Sequence, residues 1–366
     1  MEKVKVFVLP IVLIACAVIL FFFQIDMEKF SFSDGPYLLN QSNEKLTVLN
    51  YIQSNDSGKT TVEANLDEIN SNKILSYLFP KSFKETDTIV KINRSNEYKR
   101  VTQIFALGDV HGEYSGLLKL LQNNKIIDRE LNWIFGTGHL VFCGDVFDRG
   151  ASVTECLWLI YKLDQQAIRQ GGRVHYVLGN HEVMILNGDI RYIHKKYRNN
   201  QRISYINYSS LFNKSSILGK WIRQQNSVVK INDNIFVHGG LSPEILKNEA
   251  SIDSINLCLN NYLKDGTINE LTMTLLSSKG PLWYRGYLQE NKDYTKVQEK
   301  EIDLLLEKYK VDRIIFAHTQ VEHITPLYKG KLIAIDVALS DNNAEALLIK
   351  DSILHHVDIE GNSKKI

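Results

Sequence analysis

The sequence predicts an α/β domain of several layers, preceded by one transmembrane helix. Three observations lead to this prediction. The chain has 366 residues with 44% hydrophobic residues, strand-like and helix-like segments alternate from residue 101 onward, and a long apolar run stands near the N-terminus. A chain of this length can bury a large core. Alternating strands and helices are typical of a core in which helices cover a sheet.

The charge and cysteine content exclude two classes of protein. Lys and Arg together number 43 and Asp and Glu 42, which gives a formal net charge of +1. Nucleic-acid binding usually needs a basic excess, so we expect no nucleic-acid partner. The 4 cysteines do not form the disulfide framework of a small secreted domain. The composition is that of a globular domain of enzyme size.

The N-terminal segment predicts attachment to a membrane. Every residue over 6–23 is apolar, and Lys3 and Lys5 precede this run. At ~1.5 Å per residue a helix over this run would be about 27 Å long, close to the hydrocarbon thickness of a bilayer. We therefore expect a cytoplasmic end over 1–5 and an uncleaved signal anchor over 6–23. The protein would be a single-pass protein of a bacterial inner membrane, with its following domain in the periplasm or outside the cell.

Two alternatives to this arrangement remain open. Residues 13–16, with the sequence Leu-Ile-Ala-Cys, are similar to a bacterial lipobox, in which Cys16 would be lipidated after cleavage. Because only two lysines indicate the orientation, a domain that faces the cytoplasm is the other alternative. Either way, the chain would be tethered to a membrane.

The next part of the chain predicts a linker and an N-terminal β extension over 24–100, followed by the main domain over 101–366. Apolar alternation indicates strands over 47–52 and 88–92, and the run Ser-Asp-Gly-Pro at 33–36 indicates a turn. No residue in the extension indicates chemistry.

Five predicted strands of the main domain each run into residues that can bind a metal ion. The strands are expected over 104–107, 140–143, 174–178, 235–237 and 314–317. The polar residues that follow them are Asp109, His111, Asp145, Asp148, Asn180, His181, His238 and His318. Polar groups at strand ends of an α/β sheet face the crevice in which ligands bind. Carboxylate, imidazole and amide groups suit Mn, Fe or Zn, and the lack of clustered Cys excludes a thiolate site.

These segments closely resemble the signatures of the calcineurin-like metallophosphoesterases, specifically the phosphoprotein phosphatase family. The signatures are Gly-Asp-x-His-Gly at 108–112, Gly-Asp-x-x-Asp-Arg-Gly at 144–150, Gly-Asn-His-Glu at 179–182, and the later His238 and His318. The run Gly-Pro-Leu-Trp-Tyr-Arg-Gly at 280–286 is similar to that of the Shewanella-like protein phosphatases. The resemblance covers roughly residues 101–345. It implies a β-sandwich of two mixed sheets flanked by helices.

The resemblance also implies a site with two divalent metal ions. The implied ligands are Asp109, His111, Asp145, Asn180, His238 and His318. Mn is expected to serve best in vitro, with Fe and Zn as the alternatives. The implied reaction is hydrolysis of a phosphate monoester through attack by a hydroxide that both metals bind.

Four further residues are implied to act in the reaction. His181 would be the general acid for the leaving group, and Asp148 would orient His181 and stabilise its protonated form. Arg149 and Arg285 would bind the phosphate through their guanidinium groups.

Three polar residues close to the motifs are expected to have structural roles. Glu182 is predicted to start a helix beside the site and not to bind metal. His139 and His175 lie within strands that lead to the site, and we expect them to be core residues or to pack behind the ligands.

The residues do not identify the substrate. The resemblance implies a phosphorylated protein or peptide, with phosphoserine, phosphothreonine and phosphotyrosine all open. Hydrolysis of a dinucleotide polyphosphate or another small phosphoester is an alternative, because related families use nearly the same motifs. A membrane-anchored sensor domain that binds metal with little turnover is a second alternative. The insertion over 183–232 and the loop with Trp283 are expected to set the depth of the pocket.

Overall fold

Two mixed β-sheets of six strands each form the centre of the protein. The computed structural model describes residues 33–40, 46–52, 61–64, 94–339 and 343–366. The strands in chain order are β1 (Ser33–Asn40), β2 (Leu46–Ile52), β3 (Thr61–Ala64), β4 (Glu97–Tyr98), β5 (Gln103–Leu107), β6 (His139–Phe142), β7 (Arg173–Tyr176), β8 (Val228–Ile231), β9 (Asn234–Val237), β10 (Arg313–Phe316), β11 (Thr325–Leu327), β12 (Leu332–Ala334), β13 (Glu345–Lys350), β14 (Ile353–Asp358) and β15 (Ser363–Lys365).

Helices lie between the strands. In chain order they are α1 (Tyr114–Asn123), α2 (Val153–Arg169), α3 (Asn180–Leu186), α4 (Lys195–Ser204), α5 (Ile217–Ile222), α6 (Pro243–Lys247), α7 (Ile252–Asp265), α8 (Glu270–Leu276) and α9 (Glu299–Tyr309). Short 3₁₀ segments occur at Tyr208–Phe212 and Tyr328–Gly330. The insertion over 183–232 therefore contains several short helices and ends in β8.

The two large sheets combine parallel and antiparallel pairs. One has the order β15-β14-β13-β5-β6-β7 and the other the order β11-β12-β10-β9-β8-β4. Strands β5, β6 and β7 are parallel, as are β9, β10 and β12, whereas β13 is antiparallel to β5. The predicted sandwich of two mixed sheets is confirmed.

The core between the sheets follows from the two-residue period of a strand. Ile104 and Ala106 of β5 belong to the same buried cluster as Ile315 of β10. The alternate residues Phe105 and Leu107 point the other way, into a second buried cluster that includes residues of the covering helices. The parallel strands consequently have both faces buried, and their carboxyl ends form one shared edge.

The prediction of a transmembrane helix is corrected by the structure. The predicted cytoplasmic end over 1–5, the anchor over 6–23 and Cys16 all lie outside the described residues. Among the helices that the structure describes, none has the length and apolar character needed to cross a bilayer. The longest, α2, has 17 residues and carries Lys162 and Asp164 near its middle. This finding contradicts the transmembrane part of the fold class and the single-pass inner-membrane localisation, and it does not support the membrane as a partner.

The described part of the N-terminal extension forms strands. The strand predicted over 47–52 is confirmed as β2, whereas the one predicted over 88–92 lies outside the described residues. The turn predicted over 33–36 is wrong, because these residues lie within β1, whose register with β2 shifts between Asp34 and Tyr37. The Gly-Pro pair therefore marks an irregularity inside a strand. The division of the chain at residue 101 stays a prediction.

Candidate active site

The polar residues that follow β5, β6, β7, β9 and β10 meet at the shared edge of the sheets. All eight are buried: Asp109, His111, Asp145, Asp148, Asn180, His181, His238 and His318. The carboxyl ends of neighbouring parallel strands lie at one edge, so residues far apart in the sequence converge there. The six residues predicted as metal ligands are brought together, and so is the predicted acid–base pair.

Asp145 lies at the centre of this cluster. Its side chain is 1% exposed, and its Oδ2 lies 3.2 Å from Nε2 of His238. The same oxygen lies 3.7 Å from Nε2 of His181 and 3.9 Å from Nε2 of His111. One carboxylate therefore faces imidazoles from three different strand ends.

Two groups of possible ligand atoms share Asp145. His111, Asp145 and His181 form the first, Asp145, His238 and His318 form the second, and the atoms within each group lie within 4.8 Å of one another. This arrangement suits two cations with one bridging carboxylate. It also places His181, which the sequence predicts as an acid, within the first group of possible ligands.

The other two predicted ligands complete the groups. Oδ2 of Asp109 lies 3.4 Å from Nε2 of His111. Oδ1 of Asn180 lies 2.9 Å from Nε2 of His238. Asp109 also accepts a hydrogen bond from the backbone amide of His318, with 3.2 Å between the two atoms. Each group therefore has at least four side chains around it.

Hydrogen bonds orient the histidine rings toward the centre. Nδ1 of His111 donates to the carbonyl oxygen of Phe147 at 2.7 Å, and Nδ1 of His238 donates to that of Cys143 at 2.6 Å. In neutral rings these contacts leave the Nε2 lone pairs free, which is how proteins present histidine to a metal. Nε2 of His111 and Nε2 of His318 are buried and have no hydrogen-bond partner. The donor set therefore fits divalent cations.

The electrostatics of the cluster favour bound cations as well. Burial alone would raise the pKa of Asp145, but His238 and His181 outweigh it and hold that pKa well below its usual value. Burial alone would lower the pKa of His238, but Asp145 and Asp109 raise it to about 10. The buried carboxylates thus recruit positive charge, which protons supply when no metal ion is bound.

Five residues in the loops that form the site have an unusual backbone. The angle φ is 45° at His111, 51° at Asp145, 69° at Asp148, 63° at Arg149 and 66° at His318. Residues other than glycine rarely adopt this left-handed region, and each costs ~1–3 kcal/mol unless its surroundings hold it. Such residues cluster at functional sites. Glycine is required at Gly144 because of close packing in the site. A Cβ atom there would lie 2.6 Å from Nδ1 of His238, which is too close for a side chain.

His181 and Asp148 form a close pair at the side of the cluster. Nδ1 of His181 donates to Oδ2 of Asp148 at 2.5 Å, and both side chains are buried. The amide of His181 donates to Oδ1 of Asp145 at 2.9 Å. His181 is therefore held through Nδ1 of its ring and through its backbone amide, with Nε2 directed at the centre of the site.

The two predicted arginines lie in different settings. Arg149 is exposed, and its amide donates to the carbonyl oxygen of Tyr192 at 3.0 Å. Arg285 is half-buried, with Nη1 donating to the carbonyl oxygen of His318 and lying 3.3 Å from Oγ1 of Thr319. Arg149 thus presents its side chain to solvent, whereas Arg285 is bound to the backbone beside a predicted ligand.

Glu182 organises the backbone of the site. It lies in the first turn of α3, where its carboxylate accepts hydrogen bonds from the amides of Asp145, Val146 and Gly179, each at 2.8 Å. The prediction that Glu182 starts a helix beside the site is confirmed. It also fixes the loop that carries Asp145.

Three residues near the cluster were not predicted from the sequence as part of it. Asp336 is buried two residues after β12, and burial together with Asp109 raises its pKa to about 8. The strand-end pattern that identified the other residues also applies to Asp336. The rings of Tyr192 and His181 lie 5.5 Å apart, and those of Trp283 and His318 lie 5.9 Å apart. The sequence predicted that the insertion with Tyr192 and the loop with Trp283 shape the pocket. It did not predict the contacts with His181 and His318.

Comparisons with known proteins agree with the geometry. The model of the calcineurin-like phosphoesterase family matches residues 102–322. The crystal structure of the cold-active protein-tyrosine phosphatase of a psychrophilic Shewanella species is 31% identical and has a TM-score of 0.75. That match covers 91% of this chain and 99% of the other.

Two curated relatives carry related names. Shewanella-like protein phosphatase 1 of Plasmodium berghei is 31% identical over 62% of this chain and 64% of its own length. Shewanella-like protein phosphatase 2 of Arabidopsis thaliana is 24% identical over 68% of this chain and 74% of its own length.

The fold and the site define a metal-dependent phosphoesterase. The chain belongs to the calcineurin-like phosphoesterase family, and it is an enzyme of the phosphatase class. The resemblance to the Shewanella-like phosphatases that the sequence predicts is confirmed. Divalent metal ions are the cofactors that this family implies, and the described residues include candidate ligands for them.

Proposed function

We propose that the protein is a phosphoprotein phosphatase that hydrolyses phosphate monoesters. The observation that carries this proposal is the buried His181–Asp148 pair, which stands beside two ligand groups that share Asp145. Two relatives named Shewanella-like protein phosphatases and a structural relative titled a protein-tyrosine phosphatase support phosphorylated protein as the substrate class.

The metal ions would be held by the buried strand-end residues. These are Asp109, His111, Asp145, Asn180, His238 and His318. When bound, two divalent ions supply an activated water and positive charge for the phosphoryl oxygens. Mn, Fe and Zn all accept these ligands, and Mn is the metal we would use in assays.

His181 would protonate the leaving oxygen of the substrate from Nε2. Its Nδ1 is bound to Asp148, whose carboxylate stabilises the imidazolium form and fixes the orientation of the ring. The same geometry would let His181 bind the first metal ion, because ligating histidines also donate to carboxylates. Metal content of a His181 variant distinguishes the two roles: an acid can be removed without loss of metal, whereas a ligand cannot.

The phosphate would be bound by the two arginines. Arg149 is exposed directly beside the acid–base pair, so its guanidinium can reach a phosphate that enters from solvent. Arg285 has Nη1 bound to the carbonyl oxygen of His318. It would bind phosphate with its remaining nitrogen atoms while holding the loop of His318 in place.

Aromatic rings on two sides of the site favour phosphotyrosine among the possible substrates. Tyr192 is 51% exposed and lies against His181, and Trp283 lies against His318. An aromatic substrate ring can pack between such side chains, whereas a serine side chain is too small to contact them. We expect phosphotyrosine peptides to be hydrolysed fastest.

The test is phosphate release by the full chain from matched peptides that carry phosphotyrosine, phosphoserine or phosphothreonine. Each reaction is run after chelation and again with Mn²⁺ restored, and the His181→Asn variant serves as the matched control. We expect Mn²⁺-dependent release by the wild type, and a His181→Asn variant that binds metal but turns over slowly. A chain that binds Mn²⁺ and releases no phosphate from any peptide would rule out the proposed substrate class.

A further inference from the structure

Residues 34–39, within the first described segment of the chain, pack on the domain that contains the site. Nε1 of Trp158 in α2 donates to the carbonyl oxygen of Pro36 at 2.9 Å. Leu39 forms an isolated antiparallel bridge with Ser216. The segment is therefore bound to two separate parts of the domain. The sequence predicted no chemistry for it, so its polar contacts need a separate explanation.

The carboxylate of Asp34 is the centre of a buried polar network. It accepts hydrogen bonds from the hydroxyl of Tyr37 at 2.8 Å and from Nδ2 of Asn200 at 3.0 Å. Its Oδ1 lies 3.5 Å from Nζ of Lys196, a residue that is 4% exposed. Glu155 lies 3.5 Å from the same ammonium group. A buried ammonium requires anionic partners, and Asp34 and Glu155 are the carboxylates that stabilise Lys196 in this place.

Lys196 in turn holds the loop that follows the second motif. Its Nζ donates to the carbonyl oxygen of Ala151 at 2.8 Å. The hydroxyl of Tyr197 donates to the same carbonyl at 3.0 Å and accepts from the amide of Val153 at 2.8 Å. Ala151 lies two residues after Arg149. The network therefore runs from the N-terminal segment to the loop that presents a predicted phosphate-binding arginine.

This loop needs external support because of its backbone conformation. Asp148 and Arg149 are consecutive residues with φ angles of 69° and 63°. Two left-handed residues in a row persist only where neighbouring groups hold the chain. Lys196 and Tyr197 supply such contacts at Ala151, on the C-terminal side of the pair.

We propose that Asp34 is a positioning residue for phosphate binding. Through Lys196 it fixes the carbonyl group of Ala151 and so sets the direction in which Arg149 points. This inference rests on the proposed function, in which Arg149 binds the phosphate of the substrate. It assigns the N-terminal segment to the site, although the segment contributes no group that touches the substrate.

A positioning role predicts a specific kinetic pattern. Without the carboxylate of Asp34, the loop would relax and Arg149 would lose its alignment with the phosphate. A misplacement of about 1 Å can cost an enzyme ~10²-fold in catalysis, and for this displacement of a phosphate-binding group we expect KM and the Kd for inorganic phosphate to rise about 10-fold. Metal content would not change, because none of the six predicted ligands belongs to this network.

The experiment uses the full, Mn²⁺-loaded chain and a double-mutant cycle. Kd for inorganic phosphate and KM for a phosphopeptide are measured for the wild type, Asp34→Asn, Arg149→Ala and the double variant. If Asp34 acts through Arg149, Asp34→Asn raises KM and the phosphate Kd when Arg149 is present. The same substitution then changes neither constant in the Arg149→Ala background. Glu244→Gln is the control, because it removes a carboxylate from a surface pair in which Glu244 lies 3.0 Å from Lys247.

The opposite result would overturn the proposal. If Asp34→Asn lowers the melting temperature but leaves both constants unchanged, or if its effect persists in Arg149→Ala, the network is only structural. Should Asp34→Asn not fold, Tyr37→Phe decides, since it removes one hydroxyl group that contacts Asp34 and Thr154. The phosphate Kd also separates this inference from the proposed function, because it is measured without turnover.

Discussion

The carboxylate of Asp148 lies 2.5 Å from Nδ1 of His181, and the opposite nitrogen of that ring lies 3.7 Å from Asp145. This geometry joins a buried acid–base pair to the centre of the candidate metal site. If Asp148 stabilises the imidazolium form of His181, Asp148→Asn will lower kcat by about 10²–10⁴-fold, the usual contribution of general acid catalysis. Steady-state kinetics with a phosphotyrosine peptide measure this effect.

The control for this prediction is the metal content of the variant, measured by elemental analysis. Asp148→Asn is isosteric and should retain the metal of the wild type, so the loss of kcat would reflect proton transfer. Unchanged turnover would show that the Asp148–His181 pair does not act in the reaction. Loss of metal from His181→Asn would instead identify His181 as a ligand.

Removal of the metal ions should affect both activity and stability. Chelation removes the bound cations and leaves protonated histidines as the compensating charge of the buried carboxylates of Asp109 and Asp145, so we expect phosphate release to stop and the melting temperature to fall. Restored Mn²⁺ should reverse both changes in the wild type but not in His238→Ala. His355→Ala is the matched control, because His355 is a partly exposed histidine on β14. Full activity after chelation would contradict a metal-dependent reaction.

The strand-end residues of the site could be predicted from the sequence because each one follows an apolar strand. Asp109 and His238 are examples: a buried strand in a parallel sheet fixes the position of the residues that come directly after it. Asp336 obeys the same rule, but it follows a strand of only three residues, β12, whose short apolar run resembles many others.

Contacts between distant segments could not be predicted in this way. Tyr192 contacts His181 because the insertion brings it back to the site. Asp34 contacts Lys196 although it lies far before the main domain in the sequence. Local periodicity in the sequence does not predict such contacts, because they depend on how whole elements pack. The transmembrane prediction failed for a different reason: it used the apolar run over 6–23 alone, and no described helix has that character.

The backbone contacts of Glu182 predict a large effect on stability. Glu182→Ala leaves the amides of Asp145, Val146 and Gly179 without an acceptor. Each buried amide without a partner costs ~1–3 kcal/mol, and we expect the free energy of unfolding to fall by about 3 kcal/mol or more. Urea unfolding measures this change. Glu182→Gln keeps one acceptor oxygen, so its free energy of unfolding should fall by less than that of Glu182→Ala. Equal decreases in the two variants would contradict the explanation.

Two buried histidines away from the site predict a pH dependence of stability. Nε2 of His175 lies 3.0 Å from Nδ1 of His139. Burial and then Arg173 lower the pKa of His139 to about 4, and burial and then His139 lower the pKa of His175. An unfolded histidine has a pKa of about 6.5, so between pH 6.5 and 4 the unfolded chain binds protons that the native protein does not. The free energy of unfolding should therefore fall as the pH falls through this window.

For His139 alone the expected loss is about 2 kcal/mol between pH 7 and 5, from the linkage between proton binding and folding. Urea unfolding of the metal-free protein at both pH values measures it, so that release of metal does not contribute. His139→Asn should show a pH dependence that is smaller by this amount. An identical dependence in variant and wild type would show that the pair does not titrate on unfolding.

The contact between Tyr192 and His181 predicts substrate selectivity. The two rings lie 5.5 Å apart, and Tyr192 is 51% exposed, so its ring can also pack against a substrate side chain. An aromatic pair is worth ~0.5–1.5 kcal/mol, so Tyr192→Ala should raise KM for a phosphotyrosine peptide by about 2–10-fold. KM for the matching phosphoserine peptide should change little, because serine has no ring to lose contact. Tyr205→Ala is the control, because Tyr205 is 91% exposed and lies beyond α4. Equal changes for the two peptides would mean that Tyr192 positions His181 and does not select the substrate.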